Sequence, residues 1–135
     1  MQAMVGDPDD HRPHSRWALV TDPEVEGLAA IVEDIAPGDH IPLHVHPQEE
    51  AIFITSGHAR VRVGDDEREV AAGAVILVPA GTPHGTRNDS TGVVRVHAVF
   101  AGTTIGITYL ERNPAPGTEA DAPQPPLTID LRGGW

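Results

Sequence analysis

The sequence predicts an all-β domain, a sandwich or a barrel assembled from short strands. Gly or Pro interrupts the chain at roughly the 8–12-residue spacing that is typical of such folds. Residues 58–63 and 93–100 alternate between two sets of side chains, which is the two-residue period of a strand. No window of useful length shows the apolar period of an α-helix. Together these observations place the chain in the all-β class.

Each predicted strand is an apolar or alternating segment that ends at a turn signal. In residues 58–63, Ala59, Val61 and Val63 share one face, and histidine and arginine residues occupy the other. Gly64 then begins a hairpin turn. In chain order, the predicted strands cover residues 16–20, 28–35, 41–46, 51–55, 58–63, 68–70, 74–78, 84–88, 93–100 and 104–110.

The two ends of the chain differ from this central region. Residues 1–15 are rich in Asp, Pro, His and Gly without any period, so we expect a flexible N-terminal segment. Residues 113–135 are too rich in proline for a central strand, and we expect a C-terminal arm with an edge strand at 127–131. The predicted barrel domain therefore covers residues 16–112.

Composition excludes several classes of function. The chain has 135 residues, enough for one domain with a real core. Twenty acidic residues against nine basic ones give a net charge of −11, which argues against nucleic acid and anionic membranes as partners. There is no cysteine, so disulfides, thiolate nucleophiles and iron–sulfur sites are excluded.

The compartment is predicted from hydropathy. No apolar segment approaches the length of a membrane span. The N-terminus is polar and lacks the apolar stretch of a signal peptide. We therefore expect a cytoplasmic protein.

The segment from Gly38 to Asn88 contains a candidate metal site. His44 and His46 are two residues apart, so on a strand both side chains leave the same face. Glu50 can join that face if the next strand pairs back, and His84 follows a Pro- and Gly-rich segment that interrupts strand pairing. Imidazoles and a carboxylate that converge from strands form a cage for one divalent transition metal: iron, manganese, nickel, copper or zinc. The alternative is a set of polar residues on a solvated face.

Two spaced motifs in this segment resemble those of the cupins. The first resembles a Gly, His-x-His, Glu, Gly pattern and the second a Gly, Pro-x-Gly, His, Asn pattern. The matching positions are Gly38, His44, His46, Glu50 and Gly57 in the first motif, and Gly73, Pro79, Gly81, His84 and Asn88 in the second.

The resemblance carries expectations about fold, metal and assembly. It implies a double-stranded β-helix, that is, a conical jelly-roll barrel, commonly dimeric, with one metal inside. His44, His46, Glu50 and His84 match the family's metal ligands. A homodimer is therefore expected.

Other residues are candidates for acid–base chemistry or substrate contacts. We consider Glu50, Glu49 and His97 as catalytic residues, since a carboxylate or imidazole near an open metal site can move protons. His97 shares its strand face with Arg95, and the alternative is that this face points outward. Tyr109 and Arg87 are candidates for substrate contact, or are surface residues.

Three functions remain open at this point. Protein ligands on a five- or six-coordinate metal leave positions for oxygen atoms of a small organic substrate. The first hypothesis is a dioxygenase-type oxidoreductase, because small cupins with three histidines and one glutamate resemble the flavonol-cleaving kind. The second is a non-redox cyclase, isomerase or lyase. The third is a non-catalytic binder of small molecules, and no sequence feature decides among them.

Overall fold

The computed structural model describes residues 11–12, 15–111, 122–123 and 125–130. Regular structure in these residues consists of strands alone, as the alternation of side chains predicted. A search of the same residues finds no helix that is long and apolar enough to cross a membrane.

The strands follow one another with short connections. They are β1 (His11–Arg12), β2 (Ser15–Val20), β3 (Leu28–Ile35), β4 (His40–Val45), β5 (Glu50–Ser56), β6 (His58–Val63), β7 (Asp66–Ala71), β8 (Val75–Val78), β9 (His84–Arg87), β10 (Val94–Ala101), β11 (Thr104–Tyr109) and β12 (Leu127–Asp130).

Two antiparallel sheets of six strands form a jelly-roll barrel. One sheet has the order β1-β2-β3-β10-β5-β8, and the other has the order β12-β11-β4-β9-β6-β7. Neighbours in both sheets are mostly distant in sequence; β10, for example, lies between β3 and β5. The prediction of an all-β jelly roll is confirmed, and this crossing topology brings β4, β5, β9 and β11 to the site described below.

The core consists of aliphatic side chains that alternate with outward residues, as on β10, where every second residue is buried. Burial of each large aliphatic side chain contributes about 1.5–3 kcal/mol. Two clusters result. The Ile54 cluster comprises Ile35, Ile52, Ile54, Ala59, Val61, Val78, Val94 and Val96. The Ile105 cluster comprises Ala29, Ile31, Ala98, Phe100, Ile105 and Ile129.

The turn after β5 requires glycine for two reasons. Gly57 has a φ of 86°, a left-handed conformation that costs residues with a Cβ. A Cβ there would also lie only 2.5 Å from the carbonyl oxygen of Val93. The first motif thus ends in a glycine because the β5–β6 turn passes close to the start of β10.

The described parts of the two ends contain strands. β1 and the beginning of β2 lie within the segment predicted to be flexible, while residues 1–10 and 13–14 are outside the described part. In the predicted arm, β12 pairs with β11, where an edge strand was expected. Residues 112–121, 124 and 131–135 are outside the described part, so the domain boundaries stay predictions.

Candidate metal centre

Two of the predicted ligands face each other across paired strands. His44 on β4 and His84 on β9 are direct cross-strand partners, and their ring centroids are 4.3 Å apart. The pairing shifts between Ile41 and His44. Gly85 permits the close approach of the two strands, since a Cβ there would lie 3.0 Å from the carbonyl oxygen of Ile41. Both imidazoles are consequently buried inside the barrel.

The other two predicted ligands flank the loop between β4 and β5. His46 follows β4, Glu50 begins β5, and both are buried. Nε2 of His46 is 3.1 Å from Nε2 of His44 and 3.8 Å from Oε2 of Glu50. The same Glu50 oxygen is 3.3 Å from Nε2 of His84. The structure thus brings all four predicted ligands together, and the ligand nitrogens of the three histidines lie within 4.8 Å of one another.

Backbone carbonyls determine which ring nitrogen faces the cluster. Nδ1 of His44 lies 2.6 Å from the oxygen of Pro42, and Nδ1 of His84 lies 2.9 Å from that of Thr82. Nδ1 of His46 lies 2.8 Å from the oxygen of Gly106. Because a carbonyl only accepts, each Nδ1 carries the proton and donates it. In the neutral rings, every Nε2 therefore presents a lone pair to the centre of the cluster.

With the three imidazoles neutral, no described residue presents a positive or hydrogen-bearing group at the centre of the cluster. Three nitrogen lone pairs and the Glu50 carboxylate converge there. Within the described residues, neither Nε2 of His84 nor Oε2 of Glu50 has a hydrogen-bond partner. The 3.3 Å between these two atoms is within ion-pair range, so a proton or a metal ion between them would compensate both. Since uncompensated buried polar atoms are costly, the donor set fits a bound cation.

The imidazoles differ in their affinity for protons. Burial, together with the neighbouring His84 and His46, lowers the pKa of His44 to about 3. Burial also lowers the pKa of His46, although the Glu50 carboxylate opposes this shift. Burial acts in the same direction on His84, but Glu50 and the Thr82 carbonyl outweigh it and the pKa is raised. His44 and His46 are thus held in the neutral form that ligates metals.

The structure does not bring the predicted residues Glu49 and His97 to this cluster. Glu49 is exposed, and its backbone oxygen accepts a hydrogen bond from Ala101. His97 lies between Val96 and Ala98, both buried, so its side chain is on the outer face of β10. Their catalytic roles stay predictions without support from proximity. Glu50 is the one candidate for acid–base chemistry that lies inside the cluster.

Of the two candidates for substrate contact, only Tyr109 is close to the histidines. Arg87 is exposed and forms an ion pair with Asp89 at 3.0 Å. The half-buried ring of Tyr109 lies 6.0 Å from that of His44, its cross-strand partner. Burial and the nearby Glu33 carboxylate raise the pKa of Tyr109, so the phenol keeps its proton. Tyr109 is therefore available as a hydrogen-bond donor.

Sequence reasoning missed two residues near the site. Glu33 is half-buried on the inward face of β3, between Ile31 and Ile35. Its even spacing from these isoleucines was a signal that it faces inward. Gly106 accepts the hydrogen bond of His46 through its backbone, and no side-chain pattern could have identified it.

Comparison with the profiles of known protein families identifies the family of this chain. Residues 31–100, just over half of the chain, match the profile of the cupin domain. The chain belongs to the cupin family. The matching region begins in β3 and ends in β10, and it contains all four residues of the cluster.

Similar cupins are found among curated proteins and solved structures. An uncharacterized protein of Streptomyces coelicolor is 41% identical over 56 residues, which are 42% of this chain and 52% of the relative. The dimethylsulfoniopropionate lyase DddQ of Ruegeria pomeroyi is 38% identical over 63 residues, 46% of this chain and 31% of the lyase. The S161A mutant of Bacillus subtilis oxalate decarboxylase superposes with a TM-score of 0.68 at 20% identity, over 74% of this chain and 29% of that one. The aligned regions thus span about half or less of each relative.

Proposed function

We propose that this cupin is a metal-dependent enzyme that acts on a small organic substrate, with His44, His46, Glu50 and His84 as the ligands of one divalent transition metal. The observation that carries the proposal is that, in the neutral rings, three Nε2 lone pairs and a carboxylate converge at a buried point to which no described residue donates a hydrogen bond. Iron, manganese, nickel, copper and zinc all accept such a mixed nitrogen and oxygen set.

The chain's own residues would prepare this site. When bound, the metal would supply a Lewis acid or redox centre with positions open to oxygen atoms of the substrate. The backbone carbonyls hold the imidazole rings in one tautomer. The Ile54 and Ile105 clusters keep the surrounding interior apolar. Tyr109, beside His44, can donate a hydrogen bond to a bound molecule.

Two reaction classes fit this description. The first is a dioxygenase-type oxidoreductase, for which the set of three histidines and one glutamate is suited. The second is a lyase, and a specific observation favours it: DddQ, which is named as a lyase, shares 38% identity over 63 residues with this chain. The fold-level likeness to oxalate decarboxylase supports neither class, since fold does not determine the reaction.

We further propose a cytoplasmic homodimer. Phe53 on β5 and Val75 on β8 are cross-strand partners on the outer face. Leu77 lies two residues after Val75 on the same face of β8. Leu77 is 74% exposed and Val75 is 55% exposed. A contiguous exposed apolar patch is typical of an interface between subunits. Analytical ultracentrifugation of the wild type and of Leu77→Glu tests this: a dimer converted to a monomer supports the patch as the interface, and a wild-type monomer contradicts the proposal.

Elemental analysis of the protein purified without chelator is the decisive test of the metal site. About one iron, manganese, nickel, copper or zinc per chain supports the proposal. No metal, and none taken up after reconstitution, would overturn it and favour a non-catalytic binder. The metal-loaded protein would then be assayed for oxygen consumption and for elimination products. Oxygen uptake with a candidate substrate favours the dioxygenase, and turnover without oxygen favours the lyase.

A further inference from the structure

Gly106 on β11 forms two backbone hydrogen bonds with the loop that carries His46 and lies close to Pro47 of the same loop. Its carbonyl oxygen accepts the Nδ1 proton of His46 at 2.8 Å. Its backbone N–H donates to Oε1 of Gln48 at 3.3 Å. A Cβ at Gly106 would lie 3.0 Å from Cδ of Pro47 and 3.1 Å from its Cγ. The position of this one backbone unit therefore determines the orientation of the His46 ring.

The part of β11 that contains Gly106 pairs with β12. β11 pairs with β4 at Thr108 and Tyr109, beyond Gly106 in the chain. In the described residues, the earlier half of β11, including Gly106, pairs with β12 instead, where Thr128 is the partner of Gly106. The placement of Gly106 thus depends on the docking of β12.

Packing provides a second connection between β12 and His46. Ile129 of β12 is 4% exposed and belongs to the Ile105 cluster together with Phe100. The ring of Phe100 lies edge-on to that of His46, with centroids 5.3 Å apart. Phe100, which shares a cluster with Ile129, and the Gly106 backbone thus both contact the His46 ring.

We propose that docking of β12 and metal binding are thermodynamically coupled, with Gly106 as the positioning residue between them. This inference rests on the proposed function in so far as His46 ligates a metal. If the docked strand raises metal affinity, the bound metal must stabilise the docked strand by the same factor. The C-terminal strand would then regulate occupancy of the site without contributing a ligand.

Zinc binding to matched variants of the full chain tests the coupling. Ile129→Ala weakens β12 docking, and Ile54→Ala removes the same atoms from the other cluster. We expect Ile129→Ala to weaken Zn²⁺ binding by about 10–100-fold, as loss of an outer contact to a ligand does. Ile54→Ala, measured at a temperature at which circular dichroism shows it folded, should change affinity less than about threefold. Equal weakening by both variants, or none by Ile129→Ala, would overturn the inference.

Hydrogen exchange and NMR separate this inference from the proposed function. Zn²⁺ should slow amide exchange in residues 127–130 of the wild type, and unchanged rates would contradict the coupling.

In the metal-free protein, ¹⁵N NMR should show the Nδ1–H tautomer of His46 in the wild type and in Ile54→Ala, but a mixture in Ile129→Ala. If the wild type binds no metal, the proposed function fails, yet this tautomer measurement still decides whether β12 positions His46. An unchanged tautomer in a folded Ile129→Ala protein would overturn that role.

Discussion

The two pairs of candidate ligands are supported in different ways. His44 and His84 lie on paired strands, and each donates its Nδ1 proton to a carbonyl two residues earlier in its own chain segment. His46 begins the loop between β4 and β5, and the carbonyl that accepts its Nδ1 proton is 60 residues away in sequence. The strand pair is thus positioned by local geometry and sheet register. The loop pair comprises His46 and Glu50. It depends on the contact of His46 with β11 and on the pairing of β5, which Glu50 begins, with β8 and β10.

This difference shows that ligands of one compact sequence motif can be oriented by different kinds of contact, local for one and distant in sequence for another. His44 and His46 are separated by one residue, yet only His44 has its ring oriented within its own strand. The loop pair is therefore the part of the site that distant changes can alter. Changes in pH and at single residues should therefore affect the two pairs differently.

Acid should destabilise the metal-free protein through His44. Its pKa is lowered to about 3 when folded and is about 6.5 when unfolded, so only the unfolded chain takes up a proton between these values. The free energy of unfolding should fall by up to about 5 kcal/mol as the pH drops from about 6.5 to 3. His84 has the opposite sign: its pKa is raised, so its contribution is present below pH 6.5 and is lost as the pH rises through the folded value.

Urea unfolding at a series of pH values measures this dependence. His44→Phe, which cannot take up the proton, should show a flatter acid limb than the wild type. The same slope in both proteins would contradict the assignment to His44. In the metal-loaded protein, acid should also weaken metal binding, because protons compete for the same nitrogens.

Removal of one ligand from each pair should abolish most metal binding. His84→Ala and His46→Ala should each weaken affinity by at least about 100-fold, since loss of a ligand should exceed the 10–100-fold cost of losing an outer contact. Chelator competition with Zn²⁺ measures the change. His97→Ala is the matched control, because His97 lies on the outer face of β10. Full metal content in the His46→Ala, Glu50→Ala double variant would exclude this ligand set.

Asn88 should affect stability far more than metal binding. Its amide nitrogen donates to the carbonyls of Ile35, at the end of β3, and of Gly92, and its oxygen accepts from Ser90, so it joins the β9–β10 connection to β3. Asn88→Ala should lower the free energy of unfolding by about 2 kcal/mol, because buried carbonyls lose their donors. Thermal unfolding measures the loss. A tenfold change in Zn²⁺ affinity of the folded variant would show that the strand pair is less independent than its local hydrogen bonds indicate.

Gln48 should have the smallest effect, and only on the loop pair. Its side chain accepts a hydrogen bond from the Gly106 N–H at 3.3 Å and fastens the loop to β11. Gln48→Ala should weaken Zn²⁺ binding by about fivefold, equivalent to about 1 kcal/mol for one hydrogen bond. Exposed Glu49→Ala in the same loop is the control and should leave affinity unchanged. Equal Zn²⁺ affinities of the two variants would argue that the Gln48 hydrogen bond does not position the loop.

Much of the fold and of the site was readable from the sequence alone. Alternation in residues 58–63 and 93–100 determined the strands, because successive side chains of a strand must point to opposite faces. The same period placed His44 and His46 on one face. Gly57, which ends the first motif, adopts the positive φ that glycine tolerates best.

Only the tertiary structure decided the rest. Both faces of residues 93–100 contain valine, so alternation could not tell that His97 points outward until the β3 and β5 neighbours were known. The hydrogen bond from His46 is accepted by the backbone oxygen of Gly106, so no pattern of side chains in the sequence could reveal it. Local periodicity determines which residues share a face, whereas contacts between segments distant in the chain determine what that face meets.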